Sequence, residues 1–263
     1  YRVVLVDSPQ SGIWKAEIRG LRGAELNPIG IALPETVEGT LTFTKIEGFT
    51  GLNDINGHPA EEAIKQGVNE RLFDGNKNGY FKPDVKLTRL DLAKYLVMGA
   101  EIRQSLPNVP SFTDISNSDL AFAEAVMAKG AAFRDQAQKN NAVMLPKQEG
   151  KFMPTSTLTK AELAYSLVQS LGLEKEAIAH SGDIKVTYKD EQVVLKDQGD
   201  IPENLKGYVQ LALDLNILNA NFSVTQGRYD LEPKIEATFN GKQEVTRGDF
   251  AVAFTRYYNV FFN

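Results

Sequence analysis

One short pattern, a threonine, a basic residue, any residue and an acid, stands three times directly before an amphipathic helix-like stretch. We call the three copies box 1 (Thr88-Arg89-Leu90-Asp91), box 2 (Thr159-Lys160-Ala161-Glu162) and box 3 (Thr246-Arg247-Gly248-Asp249). Threonine followed three residues later by an acid is typical of a capping box, which starts a helix. The sequence therefore predicts three helices that begin in the same way. Their predicted cap residues are Thr88, Asp91, Thr159, Glu162, Thr246 and Asp249.

The residues before each box also follow one order, which indicates an internal repeat. An Asp-Ile pair (Asp54, Asp114, Asp200) comes first, a helix-like stretch follows, and an aromatic-rich run ending in proline (Pro83, Pro154, Pro233) precedes the box. We divide the chain accordingly into segment 1 (49–106), segment 2 (107–174) and segment 3 (175–263). Segments 2 and 3 are longer between aspartate and box, so insertions on surface loops are expected there. A β-hairpin is predicted around Lys189-Asp190-Glu191, where polar and apolar residues alternate.

Residues 1–48 are strand-like instead. The runs "YRVVLVDS", "GIWKAEIRG" and "TVEGTLTFTKI" are rich in β-branched and aromatic residues and are separated by Pro, Gly and Asn. Three strands do not make a stable sandwich alone, so we interpret them as the end of a β-sandwich domain whose other strands lie upstream or on another chain. The expected fold class is mainly α with β additions.

Composition excludes several function classes. The 263 residues carry a net charge of −5, which argues against nucleic acid as a partner, and contain no cysteine, which excludes disulfides and thiolate sites. No apolar run reaches the roughly 18 residues of a membrane-spanning helix, so no membrane insertion is expected. Asp74, Asn76 and Asn78 imitate the start of a calcium loop, but Val85 stands where the bidentate glutamate belongs. No metal or cofactor is predicted.

The basic residue of each box needs a separate explanation, because a cation at a helix start opposes the helix dipole. One interpretation is an ion pair with a neighbouring acid. The other is an anion site, in which free helix-start N–H groups and the cation bind a carboxylate together. On the second interpretation Arg89, Lys160 and Arg247 are the candidate ligand-binding residues.

From about residue 49 onward the chain resembles three tandem S-layer homology domains. The resemblance rests on the leading Asp-Ile, the "DGN…GYFKP" loop and the boxes. It implies pseudo-threefold helical repeats around a central three-helix bundle and attachment to anionic, often pyruvylated, polysaccharide of the bacterial cell wall. It assigns ligand contact to Arg89 and Arg247, whereas Lys160 keeps the charge without the planar fork.

The stretch "SPQSGIWKAEIRG" resembles the last strands of β-sandwich domains that follow the catalytic domain of secreted subtilisin-like serine proteases. The leading hypothesis is therefore a non-catalytic, extracellular wall-anchoring module from the C-terminal part of such an exported protein. The alternative is a set of degenerate repeats that serve as a structural or interaction domain on a protease catalytic chain. A third hypothesis, that the chain is itself an enzyme, has no supporting motif.

Overall fold

The computed structural model describes residues 52–70, 72–73, 79–103, 107, 109–227, 231 and 233–262, with side chains to residue 260. All of them belong to one compact unit that includes Gly51–Asn263. The expected β-sandwich end at 1–48 and the rejected calcium ligands Asp74, Asn76 and Asn78 lie outside these residues.

The described residues form seven α-helices in the order that the repeat pattern predicts, with one additional short helix after box 2. The helices are α1 (Glu61–Asn69), α2 (Arg89–Gly99), α3 (Leu120–Met127), α4 (Lys160–Ser170), α5 (Glu174–Ala179), α6 (Lys206–Asp214) and α7 (Arg247–Phe262). Two short 3-10 helices, Gln198–Asp200 and Glu203–Leu205, lead into α6. Each of α2, α4 and α7 begins at the basic residue of a box.

Two antiparallel hairpins supply the β structure. Strands β1 (Lys185–Tyr188) and β2 (Glu191–Val194) pair so that Tyr188 faces Glu191, and Lys189 in the two-residue loop has a φ of 53°. Strands β3 (Asn221–Thr225) and β4 (Lys234–Thr238) pair from Asn221 with Thr238 to Thr225 with Lys234. The mainly helical fold with β additions and the hairpin at Lys189-Asp190 are thus confirmed.

The helices pack mainly across segment boundaries. Helix α2 contacts α3, α4 contacts α6, and α1 contacts α7. Helices α2 and α4 of segments 1 and 2 therefore each pack on a helix of the next segment, and α7 of segment 3 packs on α1 of segment 1. A central bundle made of α2, α4 and α7 alone stays a prediction.

An aromatic cluster joins α2 to α7. The rings of Tyr95 and Phe250 stack at 5.3 Å, and Phe73 lies edge-on to both at 5.9 Å. Phe254 stacks on Phe250 at 4.9 Å, and its ring closely approaches Gly99, where no Cβ stands in the way. Because large aromatic side chains bury 150–250 Å² each, this cluster is a major contribution to the packing of the two helices.

The longer middle of segment 2 is held by a buried polar network rather than by secondary structure. The Glu174 carboxylate accepts hydrogen bonds from the backbone N–H and the side-chain amide of Asn141 and from Gln169 Nε2 (2.8 Å). Tyr208 donates to Gln169 Oε1 at 3.0 Å, and burial raises the pKa of Tyr208 to about 12. Buried polar groups with partners of this kind fix one conformation, since each lost partner leaves a costly orphan.

Candidate functional site

All three boxes form helix caps. The hydroxyl Oγ1 of Thr88 accepts from the Asp91 N–H at 3.1 Å, and the Asp91 carboxylate accepts from the Thr88 N–H at 3.3 Å. Box 2 has the same pair at 3.2 and 2.7 Å, and box 3 has it at 3.0 Å in both directions. The threonine and the acid of each box are therefore used within the helix start itself.

The first two amides of each box helix are bonded to the loop of another segment. Arg89 N–H donates to Ser156 O and Leu90 N–H to Pro154 O. In box 2 the Lys160 and Ala161 amides donate to the carbonyls of Gln243 and Gly241, and in box 3 the Arg247 and Gly248 amides donate to those of Val85 and Pro83. These six N···O distances are 2.8–3.1 Å. With the third amide bonded to threonine, no helix-start N–H is free, so the expected amide half of an anion site is wrong.

Each box cation reaches the same kind of target, an aromatic residue in the loop of the next segment in cyclic order. Arg89 Nε donates to Phe152 O at 2.8 Å, and its guanidinium carbon lies 5.0 Å from the Phe152 ring centroid. Lys160 Nζ donates to Phe239 O at 3.0 Å and to Asn219 O at 2.7 Å, and lies 4.4 Å from the centroid of the Phe239 ring. Among the described residues, Arg89 and Lys160 therefore make carbonyl and cation–π contacts instead of an ion pair.

Arg247 makes the third contact of this kind, from segment 3 to segment 1. Its Nε donates to Phe81 O at 2.7 Å, its guanidinium carbon lies 4.7 Å from the Phe81 ring centroid, and Nη1 donates to the Tyr95 hydroxyl at 3.0 Å. A carboxylate oxygen of Asp91 lies 3.9 Å from Nη1. The ion-pair interpretation thus has weak support at box 3, because this separation is long for a strong contact.

Each of the three aromatic residues lies in a turn whose backbone N–H groups donate to an aspartate carboxylate. Both backbone amides of the Phe81-Lys82 pair donate to the carboxylate of Asp54, at 2.9 and 2.7 Å. Phe152 and Met153 donate likewise to Asp114, at 2.8 and 2.9 Å. The second residue of each pair is left-handed, with φ of 59° at Lys82 and 58° at Met153.

In segment 3 this aspartate is Asp197, and the expected assignment of Asp200 to that position is wrong. Phe239 and Asn240 donate to the Asp197 carboxylate, and Asn240 has a φ of 57°. The residue equivalent to Pro83 and Pro154 is then Gly241, not Pro233. Asp200 instead contacts Lys242 on the surface.

Phe239 and Asp197 are the residues that sequence reasoning missed, and a signal for them exists. Each of Phe81, Phe152 and Phe239 stands seven positions before the threonine of its box. Aligning on the invariant box and counting back would have identified Phe239. Aligning on Asp-Ile and proline fails because in segment 3 the Asp-Ile pair lies three positions after Asp197, and Gly241 replaces the proline after Phe239 and Asn240.

Extended residues before the boxes also bridge to one another. Isolated antiparallel bridges pair Lys86 with Thr246, Thr88 with Thr157, and Thr159 with Glu244. Three apolar side chains next to these bridges are buried, namely Leu87, Leu158 and Val245. The extended residues before the three boxes are therefore paired with one another beside buried apolar side chains.

Burial affects the pKa values of the box cations. Arg89 is 2% exposed, and burial lowers the pKa of its guanidinium below the ordinary value. Its Nη2 has no hydrogen-bond partner among the residues that the structure describes. Burial likewise lowers the pKa of the Lys160 ammonium group. Because desolvated cations are costly unless they are compensated, the carbonyl and ring contacts are needed to hold these residues charged inside the fold.

Two further properties concern the described residues only. No group of three or more acidic or histidine side chains in that part of the chain could hold a metal ion. None of its helices has the length and apolar character needed to cross a bilayer.

Comparison with known proteins gives two matches. Residues 51–93, the part of segment 1 up to the first turns of α2, match the S-layer homology domain family. Over 204 residues, 78% of the chain, the sequence is 24% identical to the "Surface-layer 125 kDa protein" of Lysinibacillus sphaericus, and it spans 14% of that protein's length. The S-layer homology domain and this similarity to a surface-layer protein support a role in cell-surface anchoring.

Proposed function

We propose that residues 49–263 are a non-catalytic cell-wall anchoring module built from three tandem S-layer homology repeats with the boundaries of segments 1–3. One contact, made three times in cyclic order, carries the proposal. In each case a box cation donates to the carbonyl of an aromatic residue in the loop of the next segment. The match of residues 51–93 to the S-layer homology family supplies the function class.

The ligand of the module is an anionic wall polysaccharide, such as a pyruvylated one, and the box cations are its charged contacts. Three observations support them in this role. Arg89 Nη2 lacks a partner among the described residues, Lys160 Nζ has two carbonyl partners for three N–H donors, and the Arg247 side chain is 12% exposed. Arg89 is the most enclosed of the three, so ligand access there requires the Phe152 loop to move.

The similarity to a surface-layer protein supports an extracellular location on the cell wall or S-layer. The strand-like residues 1–48 favour attachment to a larger exported protein, for which a subtilisin-like serine protease is the proposed parent. The catalytic chemistry would then belong to that protein's other domains, and this module would hold it at the surface.

Co-sedimentation with purified cell walls tests the proposal. The parent chain is expected to sediment with intact walls and to stay in solution with walls whose anionic polysaccharide has been removed by mild acid. Equal sedimentation with both wall preparations would rule out that ligand.

The cations are tested by combining Lys160→Gln with Arg247→Gln, after circular dichroism shows that the variant is folded. We expect at least about tenfold weaker wall binding, since a hydrogen bond to a charged group contributes about 1.5–3 kcal/mol. The matched control combines Lys129→Gln with Lys175→Gln, which removes the same charge from exposed side chains. A folded double variant that binds as tightly as this control would remove the cations from the site.

A second candidate function is a structural domain that packs on a protease catalytic chain. The intramolecular use of every box cation favours it, because contacts that hold the fold together need no external ligand. Stable co-purification with a separately expressed catalytic chain, together with no wall sedimentation, would establish this function instead.

A further inference from the structure

A pocket of about 410 Å³ opens between the end of α6 and the last turns of α7. Its lining residues are Leu215, Asn216, Asn219, Arg256, Asn259 and Val260. The pocket volume lies in the range of small-molecule sites, which runs from about 300 to 1,000 Å³. Its lining combines three side-chain amides and one guanidinium with the apolar side chains of Leu215 and Val260.

Arg256 is held in place at this pocket without being neutralised. Its Nη1 donates to Asn219 Oδ1 at 2.8 Å, and no carboxylate of the described residues lies within ion-pair distance of it. A guanidinium has five N–H donors, so most of them remain available to a ligand. The pocket therefore offers several fixed donors that the fold itself does not use.

Asn219 is the residue that connects this pocket to box 2. Its backbone carbonyl accepts from Lys160 Nζ at 2.7 Å, while its side-chain oxygen accepts from Arg256. Asn216 nearby has a left-handed φ of 55°, which asparagine tolerates better than most residues. The geometry of the pocket wall is thus fixed from both sides, by the box 2 cation and by α7.

The chemistry of the lining suits a ligand rich in hydroxyl groups. Asparagine amides offer both donors and acceptors, and Arg256 offers donors only. The end of α6 at Leu215 carries the negative end of the helix dipole. This partial negative charge offsets the single guanidinium, which disfavours a strongly anionic ligand and favours an uncharged one.

We propose that this pocket binds a neutral pyranose sugar unit through its hydroxyl groups, as a second contact separate from the box cations. The proposal rests on the proposed function only for the source of the sugar, a neutral unit of the wall polymer. The two contacts on one polymer would add by increasing its effective concentration at the second site.

The pocket is tested by NMR titration of the full chain with maltose, cellobiose and N,N′-diacetylchitobiose, monitoring the side-chain amides of Asn216, Asn219 and Asn259. At least one of these disaccharides is expected to shift the three amide signals together. Arg256→Gln and, as a second variant on an exposed position, Asn259→Ala should each weaken that binding at least about threefold. Lys129→Gln, which removes an exposed charge elsewhere, should leave it unchanged.

Salt separates this site from the box cations. Sugar binding here should change less than about twofold between 0.05 and 0.5 M NaCl, since screening acts on charges and not on neutral hydrogen bonds. No amide shift with any of the three disaccharides, or tighter binding of glucuronic acid than of all three, would overturn the proposal. Either result is independent of wall sedimentation, which tests the proposed function alone.

Discussion

Arg247 at the start of α7 donates its Nε hydrogen to the carbonyl oxygen of Phe81, 166 positions earlier in the chain, at 2.7 Å. The same guanidinium lies over the Phe81 ring, and the Arg247 N–H donates to Val85 O. Since α7 also packs on α1, these contacts connect segment 3 to segment 1. The contact is long-range in sequence, so it forms only when segments 1 and 3 are packed together.

Replacement of Arg247 by alanine should therefore destabilise the whole unit. We expect the free energy of unfolding to fall by about 2–4 kcal/mol, because a charged hydrogen bond and a cation–π contact are lost together. Urea denaturation at pH 7 gives the value. Arg247→Lys should be intermediate, and Lys175→Ala on an exposed position should change stability by no more than about 0.5 kcal/mol. An unchanged urea midpoint for Arg247→Ala would contradict a closing role for this contact.

The boxes could be predicted from the sequence because a helix cap is local. Threonine, acid and backbone lie within four residues, so spacing alone specifies the hydrogen bonds. The hairpin at Lys189-Asp190 was predictable for the same reason, since alternation and a two-residue loop are local signals.

What each cation contacts could not be predicted, because its target lies in another segment. Nothing in the residues around Lys160 indicates the carbonyls of Phe239 and Asn219. For the same reason the sequence does not indicate that loop carbonyls of another segment accept from the helix-start N–H groups, which are predicted to be free. The Asp-Ile pair at Asp200 matches the other segments in sequence, whereas the carboxylate that reaches the Phe239 turn is that of Asp197.

The box 2 cap gives a second prediction. Thr159→Ala should lower stability by about 1 kcal/mol, the usual loss for a threonine N-cap. Because Thr159 and Glu162 bond to each other's backbone, Thr159→Ala and Glu162→Ala together should cost less than the sum of the two single changes. Thr155→Ala, an exposed threonine of the preceding loop, is the matched control. Strict additivity in thermal or urea unfolding would mean that the two side chains do not act as one cap.

The Asp114 turn makes a prediction about acid stability. Burial raises the pKa of Asp114, but the hydrogen bonds from Phe152 and Met153 outweigh it, and the net pKa lies below the ordinary value of 3.8. A depressed carboxyl pKa stabilises the fold above the unfolded-state pKa and loses this effect as pH falls through the folded-state pKa. The contribution should therefore be complete well above the unfolded-state pKa and be lost as the pH falls through the lowered pKa of the folded state.

Asp114→Asn tests this by comparing urea unfolding from pH 7 to pH 2.5. At pH 7 the variant should be less stable by about 1–3 kcal/mol, since two charge-assisted hydrogen bonds are weakened. The gap between parent and variant should narrow as the pH falls, because the parent carboxyl becomes protonated and neutral like the amide. A gap that stays constant down to pH 2.5 would show that the charge of Asp114 is not what stabilises the turn.

The last prediction concerns Gly207, where α6 passes closest to α5. A Cβ at this position would lie 1.9 Å from the carbonyl oxygen of Ala177, and backbone atoms cannot move aside as a flexible side chain can. Glycine to alanine in a helix ordinarily stabilises by up to about 1 kcal/mol, whereas overpacking against backbone costs about 1–3 kcal/mol or more. Gly207→Ala should therefore destabilise the protein, with the sign opposite to helix propensity. Gly199→Ala, which meets nothing within 4 Å, should be nearly neutral in the same urea titration. If Gly207→Ala raised the unfolding midpoint, the close approach of α5 and α6 would be wrong. The contact with α5 would then not help to position α6, whose end lines the asparagine-rich pocket.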